Sequence, residues 1–76
     1  MKNNNSLEAA LEAIGRKIYE LRHSRKEKLT TIQNAIGINH GTISQIENGK
    51  YKSLKLETIL KFADYFGVHF SEILSI

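Results

Sequence analysis

The sequence predicts an all-α domain of five helices, and three observations lead to that prediction. Proline is absent from the 76 residues, apolar residues recur at spacings of three and four, and no long stretch alternates apolar with polar residues. A composition of 41% hydrophobic and 25% charged residues is typical of a folded domain. A chain of this length has room for one domain, which we expect at residues 7–76 behind a flexible tail of residues 1–6.

The first helix is expected at residues 7–25. Ser6 precedes it as an N-cap, and Glu8 lies in the first turn, where the helix dipole favours a carboxylate. Gly15 lies inside this helix at a cost of up to about 1 kcal/mol relative to alanine, so we expect the first turns to fray or pivot there. The apolar face consists of Leu7, Leu11, Ile14, Ile18 and Leu21.

The second helix is expected to begin late, at Thr30 or Thr31, and to run to Ile36. Gly37 then ends it, because glycine takes a left-handed conformation without strain. The third helix follows after a Gly-Ile-Asn turn, and this arrangement matches a helix–turn–helix unit.

Asn39 is expected to cap the third helix, which runs to about Asn48 before Gly49, with Ile43 and Ile46 facing inward. The fourth helix begins near Leu56 and ends at Gly67. Its apolar face consists of Leu56, Ile59, Leu60, Ala63 and Phe66. Ser71 is expected to cap a final turn at residues 72–74.

The remaining positions of the third helix are short or amide-bearing and mostly uncharged, whereas an ordinary solvated face is rich in Lys and Glu. Such side chains suit hydrogen bonding to base edges and phosphate oxygens in a DNA major groove. These positions are His40, Gly41, Thr42, Ser44, Gln45 and Asn48.

Positive charge is concentrated in one segment, although the net charge is only +3. Residues 16–28 carry six basic and two acidic side chains. This segment is either an ordinary solvated face or an approach to an anionic partner. Arg25, Lys26 and Lys28 lie nearest the second helix, where a duplex backbone would pass.

Several segments at matching distances resemble the Cro/phage-repressor (XRE-type) helix-turn-helix family, over residues 14–74. They are Ile14-x3-Ile18-x2-Leu21-Arg22, Ile32, Gly37-Ile38-Asn39, Thr42-Ile43-Ser44-Gln45-Ile46-Glu47-Asn48-Gly49, Leu56-Glu57-Thr58 and Phe66-Gly67-Val68. The resemblance implies a five-helix lambda-repressor-like domain whose recognition helix, residues 39–48, enters the major groove. It implies a sequence-specific transcriptional regulator, such as a repressor, that binds a double-stranded DNA operator as a homodimer.

The resemblance also implies roles for individual residues. Gln45 is the favoured base-reading residue, since glutamine can pair with adenine through two hydrogen bonds. The positions facing bases are Asn39, His40, Gly41, Ser44 and Gln45. The positions facing phosphates are Lys28, Thr30, Thr42, Asn48, Lys50, Tyr51 and Lys52. Arg22 and Glu47 match a structural ion pair between the first and third helices.

Three positions depart from the family pattern. Gln33 replaces a usual alanine, so the second and third helices are expected to pack more loosely or the amide to point outward. Leu29 replaces a phosphate-contacting glutamine, and Lys28 replaces a serine or threonine cap. These changes keep two other interpretations open: an antitoxin-type regulator that pairs with a toxin, and a protein-interaction module that has lost DNA binding.

We expect no enzymatic activity, cofactor or metal, because no catalytic motif is present and His23, His40 and His69 fall on separate elements. The sequence lacks cysteine, a signal peptide and a membrane span, which predicts a cytoplasmic protein with no membrane partner. The apolar C-terminal residues are candidates for the dimer surface: Phe70, Ile73, Leu74 and Ile76.

Overall fold

The structure, a computed structural model, describes residues 6–75, and the described residues form the expected all-α fold with five helices. They are α1 (Leu7–Ser24), α2 (Leu29–Ile36), α3 (His40–Glu47), α4 (Leu56–Phe66) and α5 (Phe70–Leu74). Ser6 caps α1 as predicted, because its hydroxyl oxygen accepts a hydrogen bond from the Ala9 N–H at 3.1 Å. The rest of the expected tail, and Ile76, lie outside the described residues.

Each helix contributes one side chain with no solvent exposure to a common core. Fully burying a side chain of this size stabilises the folded state by about 1.5–3 kcal/mol. The five side chains are Ile18, Ile32, Ile43, Phe62 and Ile73. Helix α1 packs against α3 and α5, while α2 packs against α3 and α4, so that α3 lies between the first two helices. The position of α3 is therefore fixed by core packing on two sides.

Gly15 is the point of closest approach between α1 and α3, and the expected pivot at this residue was wrong. Helix α1 continues through Gly15, which is buried. A Cβ atom at Gly15 would overlap the carbonyl oxygen of Ile46 and would lie 2.7 Å from that of Glu47. The glycine therefore lets the backbone of α1 contact the last turn of α3. Any residue with a Cβ atom would hold the two helices further apart.

Two helix starts differ from the sequence prediction. Helix α2 begins at Leu29 rather than Thr30, with Lys28 as an N-cap that makes no side-chain hydrogen bond. Leu29 packs against the core, and this contact holds the first turn in place of a capping side chain. Helix α5 begins at Phe70 because His69, not Ser71, is its cap: the His69 Nδ1 accepts the Ser71 N–H at 3.2 Å. At the other end of α1, the helix stops one residue early and Arg25 is its C-cap.

Helix α4 buries part of the face predicted for it. Ile59, Ala63 and Phe66 are buried as expected, together with Phe62. Leu56 and Leu60 were expected on the same face but are 58% and 44% exposed. The prediction was wrong for these two residues because the periodic pattern fitted two overlapping stripes, and only packing against α2 and α5 selects one of them.

A bidentate ion pair between Arg22 and Glu47 also joins α1 to α3. The Arg22 Nε and Nη2 donate to the two carboxylate oxygens of Glu47 at 2.7 and 3.0 Å, as predicted. The Arg22 Nη1 donates to the Glu27 carbonyl oxygen at 2.8 Å, which also fixes the turn before α2. The hydrogen bonding to Glu47 raises the pKa of Arg22, so the guanidinium remains charged.

We predict that Gly15→Ala destabilises the fold by about 1–3 kcal/mol, because the added methyl group would overlap backbone that cannot rotate away. The expected sign is opposite to that of an ordinary helical Gly→Ala change, which stabilises by up to about 1 kcal/mol. Urea denaturation measures the effect. Gly41→Ala is the matched control, since a Cβ there would meet a single side-chain atom at 3.0 Å. Equal stability of the two variants would contradict the close helix crossing.

We predict that Arg22→Met lowers the free energy of unfolding by about 3 kcal/mol, because the Glu47 carboxyl group, whose side chain is only 6% exposed, would be left without its ion-pair partner. Thermal and urea denaturation check this result. Arg16→Met is the control on the same helix, because Arg16 is exposed and makes no ion pair with a described residue. An unchanged melting temperature for Arg22→Met would contradict a structural role for the pair.

Candidate nucleic-acid interface

Helix α3 has one buried and one exposed face. Ile43 and Ile46 are 0% and 2% exposed and turn toward the core, as predicted. Gly41, Gln45 and Asn48 follow one another at spacings of four and three, and all three are exposed. Residues at these spacings lie along one side of a helix. The exposed side is therefore a stripe of uncharged, mostly amide-bearing groups.

The turn before α3 holds the helix at a fixed angle to α2. Gly37 has a φ of 77°, in the left-handed region that favours glycine, and it ends α2 as predicted. Ile38 is half-buried and packs against the core. Asn39 caps α3, because its Oδ1 accepts the Gly41 N–H at 2.8 Å. This end of α3 is thus held by both apolar contact and hydrogen bonding.

Gln33 adds a connection across the turn, and its amide points toward α3 instead of outward, which was one of the two outcomes expected from this departure. Its Oε1 accepts the backbone N–H of His40 at 2.7 Å and lies 2.8 Å from the His40 Nδ1. The amide points toward the first turn of α3 and satisfies a backbone donor that the helix itself leaves unpaired. Sequence reasoning missed this role, since seven residues and a turn separate the two partners.

The proposed base-facing residues differ in how many polar atoms remain available. The Gln45 side chain makes no hydrogen bond with a described residue, so both its amide oxygen and nitrogen can pair with a ligand. Asn39 uses Oδ1 for its cap and keeps its Nδ2 donors. Ser44 is half-buried, whereas Asn39, His40, Gly41 and Gln45 are exposed.

The phosphate-facing candidates come from the start of α2 and from α3 with the segment that follows it. Thr42 and Tyr51 are half-buried, and Tyr51 packs against the core. The Asn48 side chain already uses one of its hydrogen-bond donors, because its Nδ2 donates to the Ser44 carbonyl oxygen at 2.9 Å. The exposed members are Lys28, Thr30, Asn48, Lys50 and Lys52.

Part of the basic segment before α2 is engaged within the protein. Arg25 forms an ion pair with Glu27 at 3.3 Å, and its guanidinium lies over the rings of Tyr65 and Phe66 at 5.2 and 5.3 Å. These contacts hold Arg25 against α4. Lys28, by contrast, is exposed and makes no ion pair with a described residue.

Residues 6–75 contain no group of three or more His, Cys, Asp or Glu side chains placed to hold a metal ion. Among the same residues, no helix combines the length and the apolar character needed to cross a bilayer.

Comparisons with known proteins agree with this geometry. A family model described as helix-turn-helix matches residues 18–73. The crystal structure of the restriction-modification controller protein C.AhdI from Aeromonas hydrophila is similar, with a TM-score of 0.78 and 25% sequence identity over 86% of this chain and 97% of that one. No curated protein sequence shows significant similarity.

The family match includes all of α2 and α3, the turn between them, and both partners of the Arg22–Glu47 ion pair. The same residues carry the sequence resemblance, and the five-helix fold is shared with the controller protein over most of both chains. The chain therefore belongs to the XRE-type helix-turn-helix family of DNA-binding transcriptional regulators.

Proposed function

We propose that the protein binds a two-fold symmetric DNA operator as a homodimer and regulates transcription there. Helix α3 of each protomer would enter the major groove, with half-sites about one helical turn apart. The observation that carries this proposal is the exposed, uncharged polar stripe of α3, whose Gln45 amide is free to pair with bases. A stripe of this composition is suited to hydrogen bonding with base edges and phosphate oxygens.

Sequence preference would come from the first turns of α3. Gln45 can donate to and accept from adenine at its N7 and N6 positions. Asn39 can donate from Nδ2. His40 and Ser44, four residues apart, lie together on one flank of the exposed stripe. Gly41 would let the backbone approach the DNA closely, since no side chain stands between it and the groove.

Phosphate contacts would position the domain and supply affinity that does not depend on sequence. Lys28 and Thr30 would contact one backbone from the start of α2. Lys50 and Lys52 would contact DNA from the segment after α3, beside Asn48 and Tyr51. Thr42 would contribute its hydroxyl group from the partly covered side of α3.

A homodimer is supported by the small contact area of a single module of this kind, roughly 600–1,000 Å². The candidate dimer surface differs from the sequence prediction, because Ile73 is fully buried in the core. Phe70 and Leu74 on α5 are half-buried and remain candidates, and Ile76 lies outside the described residues. We further infer a cytoplasmic, non-enzymatic protein, in keeping with a family of DNA-binding regulators.

A more specific proposal is that the regulated genes encode a restriction-modification system. The similar structure is that of a restriction-modification controller, and the match extends over 97% of its chain rather than the helix–turn–helix unit alone. Operators located upstream of such genes would support this candidate. Co-purification of a toxin encoded nearby would instead favour an antitoxin-type regulator.

The experiment that tests the proposed function is selection of binding sites from a random duplex library. We expect enrichment of a two-fold symmetric sequence. The affinity for that sequence should fall steeply with salt, with a slope of about −0.9 per phosphate contact. No enrichment and no salt dependence would favour a protein-interaction module that has lost DNA binding.

We predict that Gln45→Ala weakens binding to the selected operator by about 1–3 kcal/mol, because the operator would lose a paired base contact. Thermal stability should change little, since Gln45 is exposed. Fluorescence anisotropy with operator and random duplexes measures both affinities. Equal losses on the two duplexes would contradict base reading by Gln45.

We predict that Lys50→Ala weakens binding similarly on operator and random DNA and reduces the magnitude of the salt slope by about 1. The physical reason is the loss of one counterion-releasing phosphate contact. Lys61→Ala is the matched control, because Lys61 is exposed on α4, which makes no proposed DNA contact. A salt slope that stays unchanged for Lys50→Ala, or falls equally for both variants, would contradict the role of Lys50.

A further inference from the structure

We infer that Gln33 fixes the ring tautomer of His40 and thereby determines which bases His40 can read. This inference rests on the proposed function, because it concerns how α3 recognises its operator. Gln33 would be a positioning residue: it acts through His40 and makes no proposed DNA contact of its own.

The Gln33 Oε1 is hydrogen-bonded from two directions by His40. The backbone N–H of His40 lies 2.7 Å from this atom, and the ring Nδ1 lies 2.8 Å from it. A backbone N–H can only donate, so the amide atom that faces it must be the carbonyl oxygen rather than the nitrogen. The backbone contact therefore fixes the orientation of the Gln33 amide.

The orientation of the amide in turn fixes the proton on the ring. An amide oxygen can only accept, so the His40 Nδ1 at 2.8 Å must carry a hydrogen. A neutral imidazole carries one ring hydrogen, and with that hydrogen on Nδ1 the Nε2 atom is an acceptor. His40 is exposed at the first position of α3, so Nε2 is the ring nitrogen left for a partner.

An acceptor at Nε2 selects bases that offer an amino group. In the major groove these are adenine, through N6, and cytosine, through N4, whereas guanine and thymine present acceptors at the corresponding edge. The opposite tautomer would present an N–H at Nε2 and favour guanine or thymine. Gln33 thus converts an otherwise ambiguous side chain into one with a defined preference.

His69 provides an internal contrast in the same chain. Its Nδ1 accepts the Ser71 N–H at 3.2 Å and lies 2.9 Å from the Ser71 Oγ. Because the backbone N–H donates, the Nδ1 of neutral His69 carries no hydrogen, and its ring hydrogen belongs on Nε2. The two histidines are therefore expected to hold opposite tautomers under identical conditions.

The first test uses the free protein and needs no DNA. Two-dimensional NMR of the ring nitrogens at about pH 8.5, where histidine is neutral, assigns the protonated nitrogen of each ring. We expect the hydrogen on Nδ1 in His40 and on Nε2 in His69. Gln33→Met removes the acceptor and is expected to shift His40 toward the Nε2–H form while His69 stays unchanged. A wild-type His40 with its hydrogen on Nε2 would overturn the inference.

The second test compares selected operators. Wild-type protein is expected to prefer adenine or cytosine at one position in each half-site by roughly three- to tenfold, the factor for one net hydrogen bond. Gln33→Met and His40→Ala should both lose preference at that position and keep it at the others. Uniform weakening at every position would mean that Gln33 is only a helix cap, and would overturn its role in reading.

Gln33→Glu keeps the test decisive if Gln33→Met folds poorly, because a carboxylate oxygen can accept the same two hydrogen bonds. At about pH 8.5 this variant is expected to keep a hydrogen on the His40 Nδ1, and a ring hydrogen on Nε2 alone would contradict the inference. Selection that enriches no sequence, with the ring hydrogens as expected, would contradict the proposed function and overturn the reading role with it.

Discussion

The close approach of α1 to the carboxyl end of α3 is the constraint on which the rest of the structure depends. Gly15 brings the two backbones into contact at Ile46 and Glu47. Arg22, about two helical turns further along α1, binds the Glu47 carboxylate. The contact and the ion pair together fix both the distance and the rotation of α3 about its axis. Rotation matters most, because turning α3 by one residue would replace Gln45 with Ile46 on the exposed side.

The amino end of α3 is held by a different kind of interaction. Gln33 and Asn39 accept the first two backbone N–H groups of the helix, from His40 and Gly41. The Gln33 Oε1 therefore caps the helix and also orients the His40 ring, because it contacts both the backbone N–H and the Nδ1 of His40. The departure of Gln33 from the family pattern strengthens the link between α2 and α3 through its amide oxygen.

The sequence predicted the fold correctly where a residue pattern was compatible with only one structure. Glycines 37 and 67 end helices as expected, and the Arg22–Glu47 pair was found from spacing in a known family. The prediction for Leu56 and Leu60 of α4 was wrong because two apolar stripes overlap. The role of Gly15 was wrong because helix propensity describes a single helix and not a contact between two helices. The Gln33–His40 contact lay beyond sequence reasoning, since it requires the angle between two helices. Contacts of individual residues with DNA stay predictions.

The conformation of the segment after α3 affects how the domain associates with DNA. Gly49 turns the chain with a φ of 70° and packs on the backbone of Glu12, while Tyr51 and Leu54 anchor the following residues to the core. The backbone that carries Lys50 and Lys52 is thus anchored to the core. Little backbone entropy is left to lose when these charges meet a polyanion, and the remaining cost is the rotamer freedom of the lysine side chains. The DNA-facing backbone would therefore be preformed before binding. Encounter complexes in a wrong orientation would dissociate, because this segment could not rearrange to accommodate them.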